Sequence, residues 1–246
     1  MKPIDVLINI FSSQITVKNI AKPTIVYGSK EEAKRICIEN NYDVSIFRNK
    51  EEEEILVYLK SNDDISTLKE SQIISDSTPI SEVLDIMIEP GYAFIKEHRK
   101  ISHIVTRADF DSIPVRIWLF GMISLFEYEM RDFIRKNIKN WENDLTKIRV
   151  QKAKNLFNEK KKRNEEVDLL DCTQLTDIGK ILIKNKHICN KKFSHFSNQK
   201  LSSFFNSLNK LRDELAHSQR ITIDLRKIKS LLNFIETNLQ DNPSSI

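Results

Sequence analysis

Two hydrophobic periods divide the chain. Between Thr24 and Thr106 the apolar residues fall in short runs, rich in β-branched and aromatic side chains. Residues 24–27 read as a strand. Residues 29–41 read as a helix, with Ser29 as N-cap and Glu32 completing a capping box. Residues 43–47 and 54–59 then read as two strands around a charged turn. The same order returns further on: Ser77-Thr78-Pro79-Ile80 opens a helix over residues 80–88, with proline in its first turn. Residues 91–95 form a strand, 97–100 the turn and 101–106 the next strand. Two helix–strand–strand units of similar length predict an internal duplication.

From Asp109 onward the period becomes helical and stays so. Residues 110–139 carry Ile117, Phe120, Ile123, Leu125, Met130, Phe133 and Ile134 at helical spacing. Four further helices are predicted over 146–164, 175–186, 198–217 and 223–239, and residues 241–246 are expected to fray. The predicted fold is therefore α+β. An α/β repeat module covers residues 1–111, with repeats at about 15–62 and 72–111, and an all-α bundle covers 112–246.

Composition adds a charge asymmetry. Residues 1–110 hold 14 Lys and Arg against 18 Asp and Glu, a net of −4, while residues 111–246 hold 25 against 17, a net of +8. A nucleic-acid partner is thus expected at the second half, though lysine-rich solvated helix faces would give the same count. No apolar run is long enough to span a membrane, and the first residues lack a signal-peptide cleavage pattern. Cys37, Cys172 and Cys189 are odd in number and widely spaced, which suits free thiols in a reducing cytoplasm.

The segment Ser77-Thr78-Pro79-Ile80-Ser81-Glu82-Val83-Leu84 resembles the opening of a CBS motif, and Ile104-Val105-Thr106-Arg107-Ala108-Asp109 resembles its close. The resemblance covers roughly residues 15–112 and implies a tandem CBS pair. A hydroxyl and a carboxylate where a strand meets a helix suit a ribose diol, and helix-start amides suit phosphate. By resemblance Thr106 and Asp109 would hold the ribose of an adenine nucleotide acting as a regulatory ligand, and Tyr92 or Phe94 would flank adenine. The alternative is that Asp109 only caps the following helix. In the first copy Tyr58 replaces the Thr and Ser61 the Asp, so at most one complete site is expected.

In the helical half, Leu211-Arg212-Asp213-Glu214-Leu215-Ala216-His217-Ser218 closes a strongly periodic helix. This Arg-x4-His element, with a polar residue after the Arg and one more helix following, resembles the signature of HEPN domains, over roughly residues 112–240. At about 100° per residue, Leu201, Phe204, Leu208, Leu211 and Leu215 form one stripe. His217 lies opposite it, Asp213 one turn before His217, and Arg212 at its edge, so all three read as candidate catalytic residues. An imidazole titrating near neutrality can move a proton. A guanidinium can grip a phosphate, and Asp213 could orient the imidazole. The competing reading of His217 is a surface histidine near a helix C-terminus.

The resemblance implies a metal-independent endoribonuclease that works as a homodimer, with a 2′-hydroxyl attacking the neighbouring phosphate, in a toxin-like or defence effector. The alternatives are a non-catalytic RNA- or protein-binding module and a CBS regulatory subunit whose helices only dimerise. No metal is expected: His187, Cys189 and His195 match no common zinc spacing, and His98 and His103 read as structural or solvent-facing. Lys160-Lys161-Lys162-Arg163 reads as a solvated helix end or a phosphate contact, and Glu127 as a further polar group near the cleft or a solvent-facing one.

Overall fold

The computed structural model describes residues 6–7, 9–49, 54–98, 100–189, 193 and 196–240. The expected turn around residues 50–53, His195 and the tail from Asp241 lie outside them. The chain divides into two compact units, Asn9–Arg116 and Ile117–Ile246, the latter taking in the described residues before Asn9.

The first unit contains strands β1 (Lys22–Pro23), β2 (Val26–Tyr27), β3 (Val44–Arg48), β4 (Ile55–Leu59), β5 (Asp64–Thr67), β6 (Ile73–Ile74), β7 (Tyr92–Glu97) and β8 (Lys100–Thr106). Its helices are α1 (Lys30–Glu39) and α2 (Ile80–Ile88). The strands form two four-stranded sheets, ordered β2-β3-β4-β5 and β1-β8-β7-β6. Each sheet holds a parallel pair joined through a helix and then an antiparallel hairpin. Val26 faces Ile46 and Ile46 faces Val57 in one; Ile73 faces Phe94 and Phe94 faces Ile104 in the other. The duplicated unit is therefore present, with one feature that the apolar pattern does not carry. β1, just ahead of β2, pairs antiparallel with β8, while β5, ahead of β6, pairs antiparallel with β4. Each copy lends an edge strand to the sheet of the other.

Burial on both faces explains why β3 and β7 read as continuous apolar runs. Val44 and Ile46 on β3, Val57 on β4, and Tyr92 and Phe94 on β7 form one core. Phe47 and Tyr58 pack on the other face with Ala33 and Cys37 of α1. Ser29 caps α1 as expected by accepting from the Glu32 amide at 3.3 Å. The Glu32 carboxylate, however, reaches the Gly28 amide at 2.9 Å, one residue beyond the position a capping box requires.

The helical unit is built from α3 (Ile113–Asn137), α4 (Lys147–Lys162), α5 (Leu175–Lys184), α6 (Asn198–Ala216) and α7 (Leu225–Gln240). α3 starts later than its periodicity predicts, because a 3₁₀ turn, Arg107–Asp111, precedes it. Pro114 then occupies the first turn of α3, where a missing N–H leaves no bond unmade. Trp118, Met122, Phe126, Met130 and Ile134 bury one face of that helix. Phe126 stands edge-on to Phe204 at 5.8 Å and to Phe234 at 6.1 Å, fastening α3 to α6 and α7. α5 lies so close to α6 that a Cβ on Gly179 would fall 2.5 Å from Cγ of Phe205. No side chain larger than hydrogen fits that contact without a shift. Among the described residues, no helix is long and apolar enough to cross a membrane. The three cysteines are buried and form no disulfide.

Candidate functional site

The Thr106–Asp109 element is closed in this structure. The Asp109 carboxylate is 4% exposed. Its Oδ2 accepts from the Thr106 amide and hydroxyl, both at 2.8 Å, and its Oδ1 receives Lys22 Nζ at 2.8 Å. Thr106 and Asp109 thus cap the 3₁₀ turn reciprocally. Asp109 sits at the third position of that cap, and not at the N-cap of α3. Lys22 comes from the strand lent by the other copy. Tyr92 and Phe94 both face the core, Phe94 fully buried and in edge contact with Tyr92 at 5.8 Å. In the first copy, Tyr58 bonds Asp63 at 2.9 Å and Asp63 pairs with Lys34, so that end is closed as well.

The Arg-x4-His element lies at the end of α6. His217 is the C-cap residue, its amide bonding to the Asp213 carbonyl at 3.0 Å. Ser218 takes the left-handed conformation at φ 52°. The Gln219 amide returns to the Glu214 carbonyl at 2.9 Å and the Ser218 amide to that of Leu215 at 3.3 Å. This is a Schellman closure with serine where glycine is usual. The buried Glu214 carboxylate then holds the Thr222 amide and hydroxyl, at 3.1 and 2.5 Å, so the following loop folds back on α6. The imidazole is left exposed at a fixed helix end. Asp213 does not orient it: the two carboxylate oxygens take Arg212 Nη1 and Asn209 Nδ2, each at 3.0 Å.

Arg212 has a second setting that its spacing to His217 does not reveal. It lines a cleft of about 350 Å³ together with Arg131 of α3, Arg149 and Lys152 of α4, Asp171, and Asp177 of α5. His217 is not among the lining residues. Arg149 makes a two-pronged contact with Asp177, Nε at 2.9 Å and Nη2 at 2.6 Å, and Nη2 also reaches Gln174 at 2.6 Å. Hydrogen bonding to Asp177 holds the Arg149 pKa above its ordinary value. Arg131 donates to Glu127 at 2.6 Å and to the Thr173 carbonyl at 3.1 Å. Glu127 therefore acts one step behind the cleft, through Arg131. Arg131, Arg149 and Lys152 were not legible as site residues, since basic residues on a basic helix read as its solvated face.

The other candidates are structural or exposed. His103 lies on β8 against Ser102, with Nδ1 to Oγ at 2.8 Å. His98 occupies the tight turn between β7 and β8 at φ 46°, and His187 is exposed. At the end of α4, Lys160 and Arg163 pair with Glu165. Among the described residues, no group of three or more His, Cys, Asp or Glu could hold a metal ion.

No family model matches the sequence, and no curated protein matches it. Among solved structures, an uncharacterized conserved protein from Pyrococcus horikoshii is similar at 21% identity and a TM-score of 0.31, over 39% of this chain and 88% of its own. A hexameric CBS-CP12 protein from bloom-forming cyanobacteria is similar at 9% identity and a TM-score of 0.34, over 49% of this chain and 87% of its own. Neither likeness is strong enough to bear on what this chain does.

The closed Asp109 site carries a prediction. Asp109→Ala should lower stability by about 1–3 kcal/mol, because it strands the half-buried Thr106 donors. Lys22→Ala, at an exposed ammonium, should cost under about 1 kcal/mol. Urea denaturation measures both. Equal, small losses would show that the carboxylate is dispensable to the fold.

Proposed function

We propose that the helical unit is a metal-independent endoribonuclease in which Arg212 and His217 act on the RNA phosphate. The observation that supports this reading is the setting of Arg212: it faces a cleft bordered by three further cationic side chains, on the helix whose exposed end is His217. In the proposed step the substrate's 2′-oxygen attacks the adjacent phosphorus. The P–O5′ bond breaks, leaving a 2′,3′-cyclic phosphate and a 5′-hydroxyl. His217 moves a proton in the step, and Arg212 stabilises charge on the non-bridging oxygens.

The two groups are five positions apart at the end of α6, about 7.5 Å of helix rise and roughly 140° of rotation. One chain therefore spreads them over two faces. A second copy placing its own pair opposite would supply the missing acid or base, so the functional form proposed is a homodimer. α3 has a face suited to that contact: Ile117, Phe120 and Tyr128 are 56%, 41% and 58% exposed and share one narrow sector of the helix. Adenine-nucleotide control through Thr106 and Asp109 would require the ligand to displace Lys22 from that carboxylate.

The purified protein should cut total RNA in EDTA, and His217→Ala should slow cutting by about 10²–10⁴-fold, the usual range for a lost acid–base group. Arg212→Lys should also fail, since an ammonium lacks the planar two-donor grip on phosphate. Intact RNA under all conditions, or wild-type rates in His217→Ala, would leave a binding module instead. Light scattering at micromolar concentration should give the dimer mass, and Ile117→Glu should give the monomer. A wild-type monomer that cuts RNA would overturn the composite site.

A further inference from the structure

The cleft beside Arg212 has a charge balance that its carboxylates do not settle. Asp177 is 2% exposed and is already shared between Arg149 and the Gln174 amide. Asp171 is taken up by Arg135 and by the Asp168 amide. Arg131 is paired with Glu127 and Arg212 with Asp213, so Lys152 is the lining cation left over. Lys152 is exposed and has no ion-pair or hydrogen-bond partner among the described residues. Arg131 is held by the Glu127 carboxylate and the Thr173 carbonyl. Arg212 commits one Nη to Asp213 and is 38% exposed. An unpaired ammonium beside a partly committed guanidinium at one hollow makes a site for an anion.

We propose that this cleft seats a backbone phosphate of the RNA strand, with Lys152 and Arg212 meeting the phosphate oxygens and the Arg149–Asp177 pair forming the fixed wall beneath them. The proposal rests on the reading that Arg212 and His217 act on RNA, and it names where the strand next to the cut lies. The lining itself separates a polymer phosphate from a free nucleotide. It includes no aromatic ring, only Ala153, Leu156 and Cys172 beside the polar groups. A base would find no surface on which to stack. The cleft therefore grips backbone and does not read sequence.

The test uses the full chain carrying His217→Ala, so that RNA stays intact, and a short fluorescein-labelled single-stranded RNA followed by anisotropy across a range of KCl concentrations. Lys152→Glu should weaken binding by about tenfold or more and reduce the steepness of its salt dependence. Lys154→Glu makes the same charge change on the same helix, two residues on and about 200° round, and should stay within about twofold. Both lysines are exposed, and circular dichroism checks that both variants fold. Equal effects of the two substitutions, or none from Lys152→Glu, would overturn the cleft as the phosphate site. So would calorimetry in which Lys152→Glu abolishes AMP binding but leaves RNA binding intact. Cleavage by the chain with His217 restored is scored separately. If it cuts while the Lys152→Glu variant binds normally, the cleft proposal fails and the nuclease stands. If Lys152-dependent binding occurs without cutting, the nuclease fails and the cleft stands.

Discussion

The two-pronged pair between Arg149 and Asp177 sets the shape of the helical unit's cleft. Asp177 is almost fully buried, and its carboxylate serves two masters: the Arg149 guanidinium on α4 and the Gln174 amide at the start of α5. The ion pair therefore fixes where α5 begins and where α4 lies against it. Removing one partner of such a pair strands the other, at a cost of about 3–5 kcal/mol when the survivor is fully buried. Arg149 retains some exposure, which places this pair at the lower end. The Gly179–Phe205 contact completes the frame by drawing α6 against α5. With those two constraints in place, Arg131, Lys152 and Arg212 come from three different helices to one hollow. None of them needs to be near the others in sequence.

A comparable closure governs the α/β unit, with the opposite consequence. There the strand exchange that relates the two copies brings Lys22 onto Asp109, and the inner faces of both sheets meet at Val44, Ile46, Val57, Tyr92 and Phe94. Thr106, Asp109 and Lys22 bond to one another there and help hold the unit together. A Thr and an Asp three residues apart serve a capping turn as well as they serve a ribose. What decides between the roles is whether a third group reaches the carboxylate first.

The sequence was most informative where periodicity is strong. Helices α1, α2, α4, α5 and α6 begin within a residue or two of where their apolar spacing and caps place them, and the repeat order of the first half is visible in its β-branched runs. β1, β5 and β6 are too short, at two to four residues, for alternation to register, so the strand exchange was not visible. The cleft was hidden for a different reason. Arg149 and Lys152 lie on a helix whose other basic residues face solvent, and nothing local distinguishes a guanidinium bound to Asp177, 28 residues away, from one in water. Arg212 and His217 were legible because their helix is amphipathic and ends at a recognisable place. The serine closure that fixes the end, Ser218 at positive φ, was not, because glycine is the usual signal there.

The central claim is that the side chains at the end of α6 cut RNA through attack by its own 2′-oxygen. The chemistry of the new ends tests it most directly. RNA treated with the protein in EDTA should carry 2′,3′-cyclic phosphates and 5′-hydroxyls, and an oligonucleotide with a 2′-deoxy sugar at the cut position should survive there. Products with 5′-phosphates, or cutting at a 2′-deoxy position, would contradict the account.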